Sequence, residues 1–208
     1  MKRMIATGIQ DFEKLRVSGS FYVDKTDFIR EWWKGCDDVT LIARPRGFGK
    51  TLNMSMLNCF FSNQYAGRSD LFEGLKVWED PAMRDEQGKW LVISVSFADV
   101  KGSTYASAMK EINAALVKAF SAHDELYQTD IFDRNEKEFL NRISVDMDDI
   151  DAAMSLDLIS TLLEKIHGKK VLIFLDEYDT PLQEAFMNGY LDELLEFTGR
   201  MFINPKIE

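Results

Sequence analysis

The stretch Leu41–Leu57, LIARPRGFGKTLNMSML, constrains the fold more than any other part of the chain. An apolar run from Val39 to Ala43 leads into a loop with two glycines. Gly49-Lys50-Thr51 then opens a segment with Leu52, Met56, Leu57 and Phe60 at helical spacing. That order predicts a strand, a tight loop and a helix from Leu52 to Phe61, and G-K-[ST] is the ending of a phosphate-binding loop in that setting. Such a loop needs backbone N–H groups that point inward and no side chains in the way. Gly47 and Gly49 permit that backbone, positive φ included. The helix start adds open N–H groups and the positive end of its dipole. Lys50 is then placed to reach the β- and γ-phosphates of a nucleoside triphosphate and the Thr51 hydroxyl to ligate Mg²⁺. Arg46, Gly47, Phe48, Gly49 and Leu52 complete the expected anion site. In the full pattern, G-x-x-x-x-G-K-[ST], the first Gly falls at Arg44. The loop is therefore a degenerate Walker A, and an ordinary strand-to-helix turn is the alternative.

Val171-Leu-Ile-Phe-Leu-Asp-Glu177 supplies the expected partner. Its unbroken apolar run predicts a strand covered on both faces. In a Walker B role, Asp176 at its end holds Mg²⁺ and Glu177 orients and deprotonates the attacking water. Thr180-Pro181 reads as a helix start, with Asp179 as a candidate cap.

Three motifs in order now carry a resemblance. Phe21-Tyr22-Val23-Asp24-Lys25-Thr26, then Arg44-Pro45-Arg46 with Phe48-Gly49-Lys50-Thr51, then Leu175-Asp176-Glu177-Tyr178-Asp179-Thr180-Pro181-Leu182 resemble the bacterial AAA-ATPase-like family across nearly the whole chain. In that family the arginine-rich loop start is usual, and a basic residue often stands where Gly47 is here. The resemblance implies an ATP-binding P-loop domain that uses Mg²⁺, with ATP favoured over GTP on the resemblance alone. The implied fold is α/β, a P-loop NTPase-type mostly parallel sheet flanked by helices, forming one domain over residues 1–208. Family members continue with a sensor strand, further helices and often a restriction-nuclease-like domain. The chain therefore reads as an incomplete form without sensor strand or lid. That reading predicts self-association or dependence on a missing C-terminal effector domain.

Composition agrees. The chain has 208 residues, 46% hydrophobic and 29% charged, enough to bury one sizeable core. No apolar run approaches the ~20 residues of a membrane span, and the N-terminus lacks the apolar core of a signal peptide. Cys36 and Cys59 read as free thiols of a cytoplasmic protein. His123 and His167 have no neighbours at ligand spacing. A net charge of −10 argues against direct nucleic-acid binding by this chain. The acid run Asp146–Asp151 reads as a solvated loop or helix start, and Asp130–Arg142 as exposed polar surface.

Further elements alternate along the chain. Phe28–Trp33 reads as a helix capped by Thr26 or Asp27, and Gly67–Gly74 as turns. Trp90–Phe97 reads as a strand. Ser103 is the expected cap of a long helix with the stripe Tyr105, Met109, Ile112, Leu116 and Phe120. Leu156, Ile159, Leu163 and Ile166 form a second stripe that stops at Gly168, and Leu191–Phe202 a final helix. Trp32, Trp33, Trp78 and Trp90 are expected in the core. The Phe21–Thr26 motif is open to two roles, approaching a nucleotide base or packing structurally with Lys25 paired to an acid. Three functions follow: an ATPase, a nucleotide-gated switch with negligible turnover, or a remnant that no longer binds.

Overall fold

In the computed structural model the described residues are 8–35, 39–42 and 48–203. The chain is a mixed α/β protein that packs as two units, residues 1–92 and 93–207.

The first unit is built on the helix that begins at Lys50. Its helices are α1 (Phe12–Val17), α2 (Asp27–Gly35), α3 (Lys50–Phe61) and α4 (Pro81–Glu86), with one-turn 3-10 helices between α3 and α4. Apolar residues at helical spacing on α3 bury Met56, Leu57, Phe60 and Phe61. Phe60 and Phe72 meet edge to face at 4.9 Å, and Phe72 stacks on Phe12 of α1 at 5.3 Å. Arg16 of α1 donates through Nε to the Leu71 carbonyl at 2.6 Å and through a second nitrogen to the Glu73 carbonyl at 3.0 Å. The four tryptophans are half-buried rather than fully internal. Trp33 sits between Phe61 and Trp90, at 5.0 and 4.8 Å. Cys59 is a buried free thiol, and that burial pushes its pKa up to about 11. Cys36 lies outside the described residues.

The Phe21–Thr26 motif resolves into an alternating extended segment. Phe21, Val23 and Lys25 point outward, whereas Tyr22, Asp24 and Thr26 are partly or fully buried. The Tyr22 hydroxyl donates to Met56 Sδ at 3.3 Å. Asp24 Oδ1 accepts from the Thr26 amide and hydroxyl at 2.9 and 2.7 Å, and its Oδ2 from the Lys76 amide at 2.8 Å. Thr26 Oγ1 in turn accepts from the Val77 amide at 3.1 Å. Thr26 thus ties the chain to the Lys76–Val77 turn. Lys25 is exposed and has no ion pair among the described residues.

The predicted strand from Val39 to Ala43 is not formed over its described part. Residues 39–42 are irregular, with Val39 and Leu41 73% and 65% exposed, and Ala43 lies outside the described residues. A strand needs a neighbouring ladder, and none is hydrogen-bonded to this segment among the described residues.

The second unit holds β1 from its third residue on (Leu91–Ser96, with Leu91 and Val92 in the first unit), α5 (Tyr105–Ser121), α6 (Arg134–Arg142), α7 (Asp149–His167), β2 (Val171–Asp176), α8 (Thr180–Asn188) and α9 (Leu191–Ile203). β1 and β2 pair in parallel, and the Phe97 amide continues the ladder to the Asp176 carbonyl at 3.0 Å. α7 packs against α5, α9 and β2. α5 is capped by Thr104 rather than Ser103, because Thr104 and Ser107 form a reciprocal capping box. The expected stripe is buried at Met109, Ile112, Leu116 and Phe120. The acid run is the start of α7: Asp148 caps it, Asp149 accepts from the Tyr105 hydroxyl at 2.6 Å, and Asp151 forms a two-point ion pair with Arg142. Gly168, at φ 65°, ends α7. Asp130–Arg142 holds the α6 helix, whose Phe139 and Leu140 are buried.

β2 departs from expectation. Only Phe174 is fully buried, and the other five residues are half-exposed. Coverage of both faces needs layers on both sides, and among the described residues the sheet has two strands.

Candidate functional site

The loop ending keeps the geometry that the sequence predicts. Gly49 sits at φ 77°, ψ 27°, the left-handed region, and is the N-cap of α3 with no side-chain capping bond. A Cβ there would meet nothing within 4 Å, so backbone conformation alone selects glycine. The Asn53 amide closes the first helical bond to the Gly49 carbonyl at 3.0 Å. Lys50 and Thr51 therefore occupy the first turn, the end of a helix where N–H groups lack intrahelical acceptors and the dipole favours anions. Lys50, Thr51 and Leu52 are half-buried, and Phe48 is 64% exposed. Arg46 and Gly47 lie outside the described residues, as do Arg44 and Pro45.

The acid pair lies in the second unit. Asp176 ends β2, and Glu177 follows at φ 51°, the only non-glycine described residue with positive φ. A side chain in this region costs of order 1–2 kcal/mol, and such outliers concentrate at functional sites. Backbone amides tie the turn together. The Glu177 amide donates to Asp176 Oδ1 at 3.0 Å, and the Thr180 amide donates to the Glu177 carbonyl at 3.0 Å. The chain thereby reverses from β2 into α8 within three residues. Asp179 precedes α8 but does not cap it with its side chain, because its own backbone is already helical (φ −81°, ψ −16°). Its Oδ2 accepts instead from Gln183 Nε2 at 2.9 Å.

Two features escaped the sequence. His123 Nδ1 and His167 Nε2 both approach Glu125 Oε1, at 3.3 and 3.6 Å. They stand just past the end of α5 and at the last residue of α7, where helix dipoles favour positive charge. Burial alone would raise the Glu125 pKa, but its own backbone amide and the two imidazoles hold the carboxyl below its usual value. Among the described residues no cluster of three or more His, Cys, Asp or Glu side chains is placed to hold a metal ion. The second feature is Asn53, a polar residue on the buried face of α3. Helical periodicity placed only its apolar neighbours.

A glycine-capped GKT helix and an acid-tipped parallel strand, set in a mixed α/β chain, define a P-loop NTPase-type protein. A family model described as a predicted AAA-ATPase matches residues 6–205, and the chain belongs to this AAA-ATPase-like family. Membership makes it a nucleotide-binding, ATPase-like domain. No curated protein and no solved structure matches the chain. No described helix is long and apolar enough to cross a membrane.

Proposed function

We propose that the protein binds Mg-ATP and hydrolyses it slowly, with full turnover dependent on self-association or on an effector domain. The observation that carries this reading is the start of α3, where a left-handed glycine cap places Lys50 and Thr51 at an anion-accepting helix end. Lys50 clamps the β- and γ-phosphates, Thr51 and Asp176 hold Mg²⁺, and Glu177 takes the proton of the attacking water. The strained turn at Glu177 supports its role, because backbone outliers of this kind concentrate at functional sites. The free, buried Cys59 thiol suits a reducing cytoplasm.

Isothermal titration with Mg-ATP tests binding. Lys50→Ala is expected to weaken it about 10- to 100-fold, the worth of a hydrogen bond to a charged group. Affinity unchanged by that substitution sinks the assignment. Glu177→Gln is expected to retain binding and lose about 10²- to 10⁴-fold of phosphate release, the usual share of a general base. Binding with no measurable phosphate release in the native chain assigns it to the nucleotide-gated switches instead.

A further inference from the structure

Asn53 is the one residue on the inner face of α3 that the apolar pattern does not explain. It lies in line with Met56, Leu57 and Phe60, is only 4% exposed, and its Nδ2 has no hydrogen-bond acceptor among the described residues. Buried amide donors are nearly always paired, and an unpaired one forfeits its hydration with nothing in return. A leucine of similar size would fill the same space without that loss.

Position gives the donor a direction. Asn53 is the fourth residue of α3, and helical side chains lean toward the helix N-terminus. The patch that Asn53 covers is therefore the turn that begins at Gly49. That turn is the end of α3 with a left-handed glycine cap and no side-chain capping bond. An orphan donor beneath an anion-accepting helix end is the arrangement expected of a site whose acceptor arrives with its ligand.

We infer that Asn53 is a ligand-binding residue of the phosphate site, and that the acceptor missing from its Nδ2 is a phosphate oxygen of the bound Mg-triphosphate, reached directly or across one water. The inference rests on the nucleotide-binding reading above and adds a residue to it. It gives Asn53 two opposed effects: the amide lowers the stability of the ligand-free chain and raises affinity for the polyphosphate.

The test pairs Asn53→Leu with the native chain. Affinity for Mg-ATP and for magnesium tripolyphosphate is measured by titration, and the urea midpoint is measured without ligand. The expected result is a loss of at least about tenfold in affinity for both ligands, with a midpoint equal to or above the native one. Three results overturn the inference: native affinity in the variant, weakened binding of Mg-ATP but not of tripolyphosphate, or a lowered midpoint, which would show the amide already serving the ligand-free structure. If Asn53→Leu does not fold, Asn53→Ala decides by the same affinity criterion. A native chain that binds neither ligand overturns the nucleotide reading itself, and is thereby distinguished from failure at Asn53 alone.

Discussion

Glu177 shows a single residue held in a backbone conformation that its type disfavours. Its φ of 51° suits glycine or asparagine, yet a glutamate stands there. Glu177→Gly is expected to be more stable than Glu177→Ala by about 1 kcal/mol, the reverse of their usual order, because only glycine occupies this region without strain. Paired urea unfolding curves measure the difference, and equal midpoints would show that the turn relaxes. Asp24 carries a pH dependence. Burial alone would raise its pKa, but the Thr26 side chain and amide and the Lys76 amide outweigh that effect and hold the carboxyl below its usual value. Its contribution to stability is therefore fully present above the unfolded pKa of about 4, and is lost as pH falls through the depressed folded value. Asp24→Asn is expected to flatten the stability profile between about pH 5 and pH 2, and an unchanged acid limb counts against the assignment. The residue types of the candidate site, Gly49-Lys50-Thr51 and Asp176-Glu177, stand out in the sequence because phosphate and metal chemistry would restrict them tightly. The left-handed turn at Glu177 and the unpaired Asn53 amide do not. Both depend on where neighbouring backbone lies, and no local pattern encodes that.

At the level of elements, helices read well and strands less so. α3, α5 and α9 fall close to their expected bounds, and α7 stops at Gly168 as expected but begins seven residues before its apolar stripe, because stripes and glycine stops act locally. The cap moved by one residue, from Ser103 to Thr104, because Ser107 completes a box that only Thr104 can close. The coverage of β2 and the strand expected at Val39–Ala43 depend on partners distant in sequence, so an apolar run alone cannot establish either. Gly102 shows how tightly the entrance to α5 is built. A Cβ there would lie 2.2 Å from the Ala108 amide nitrogen and 2.6 Å from its Cα, both backbone atoms of the first turns of α5. Its carbonyl also accepts from the buried Tyr190 hydroxyl at 2.5 Å, joining the loop before α5 to the residue before α9. Gly102→Ala is expected to cost about 1–3 kcal/mol through overpacking, read as a lower urea midpoint. A midpoint within error of the native one would mean that the loop moves aside freely.

For the whole molecule, Mg-ATP that binds only the folded chain is expected to stabilise it against unfolding. At about 100 times its Kd, such a ligand adds about 2.7 kcal/mol to the folded state. The buried Cys59 offers a way to see this. Alkylating reagents attack the thiolate, and a thiol whose pKa lies near 11, shut inside α3, presents almost none of it. In a Cys36→Ser background, iodoacetamide should therefore modify the chain only when α3 comes apart, turning Cys59 into a stopwatch for that opening. Saturating Mg-ATP should slow the clock by up to about 100-fold.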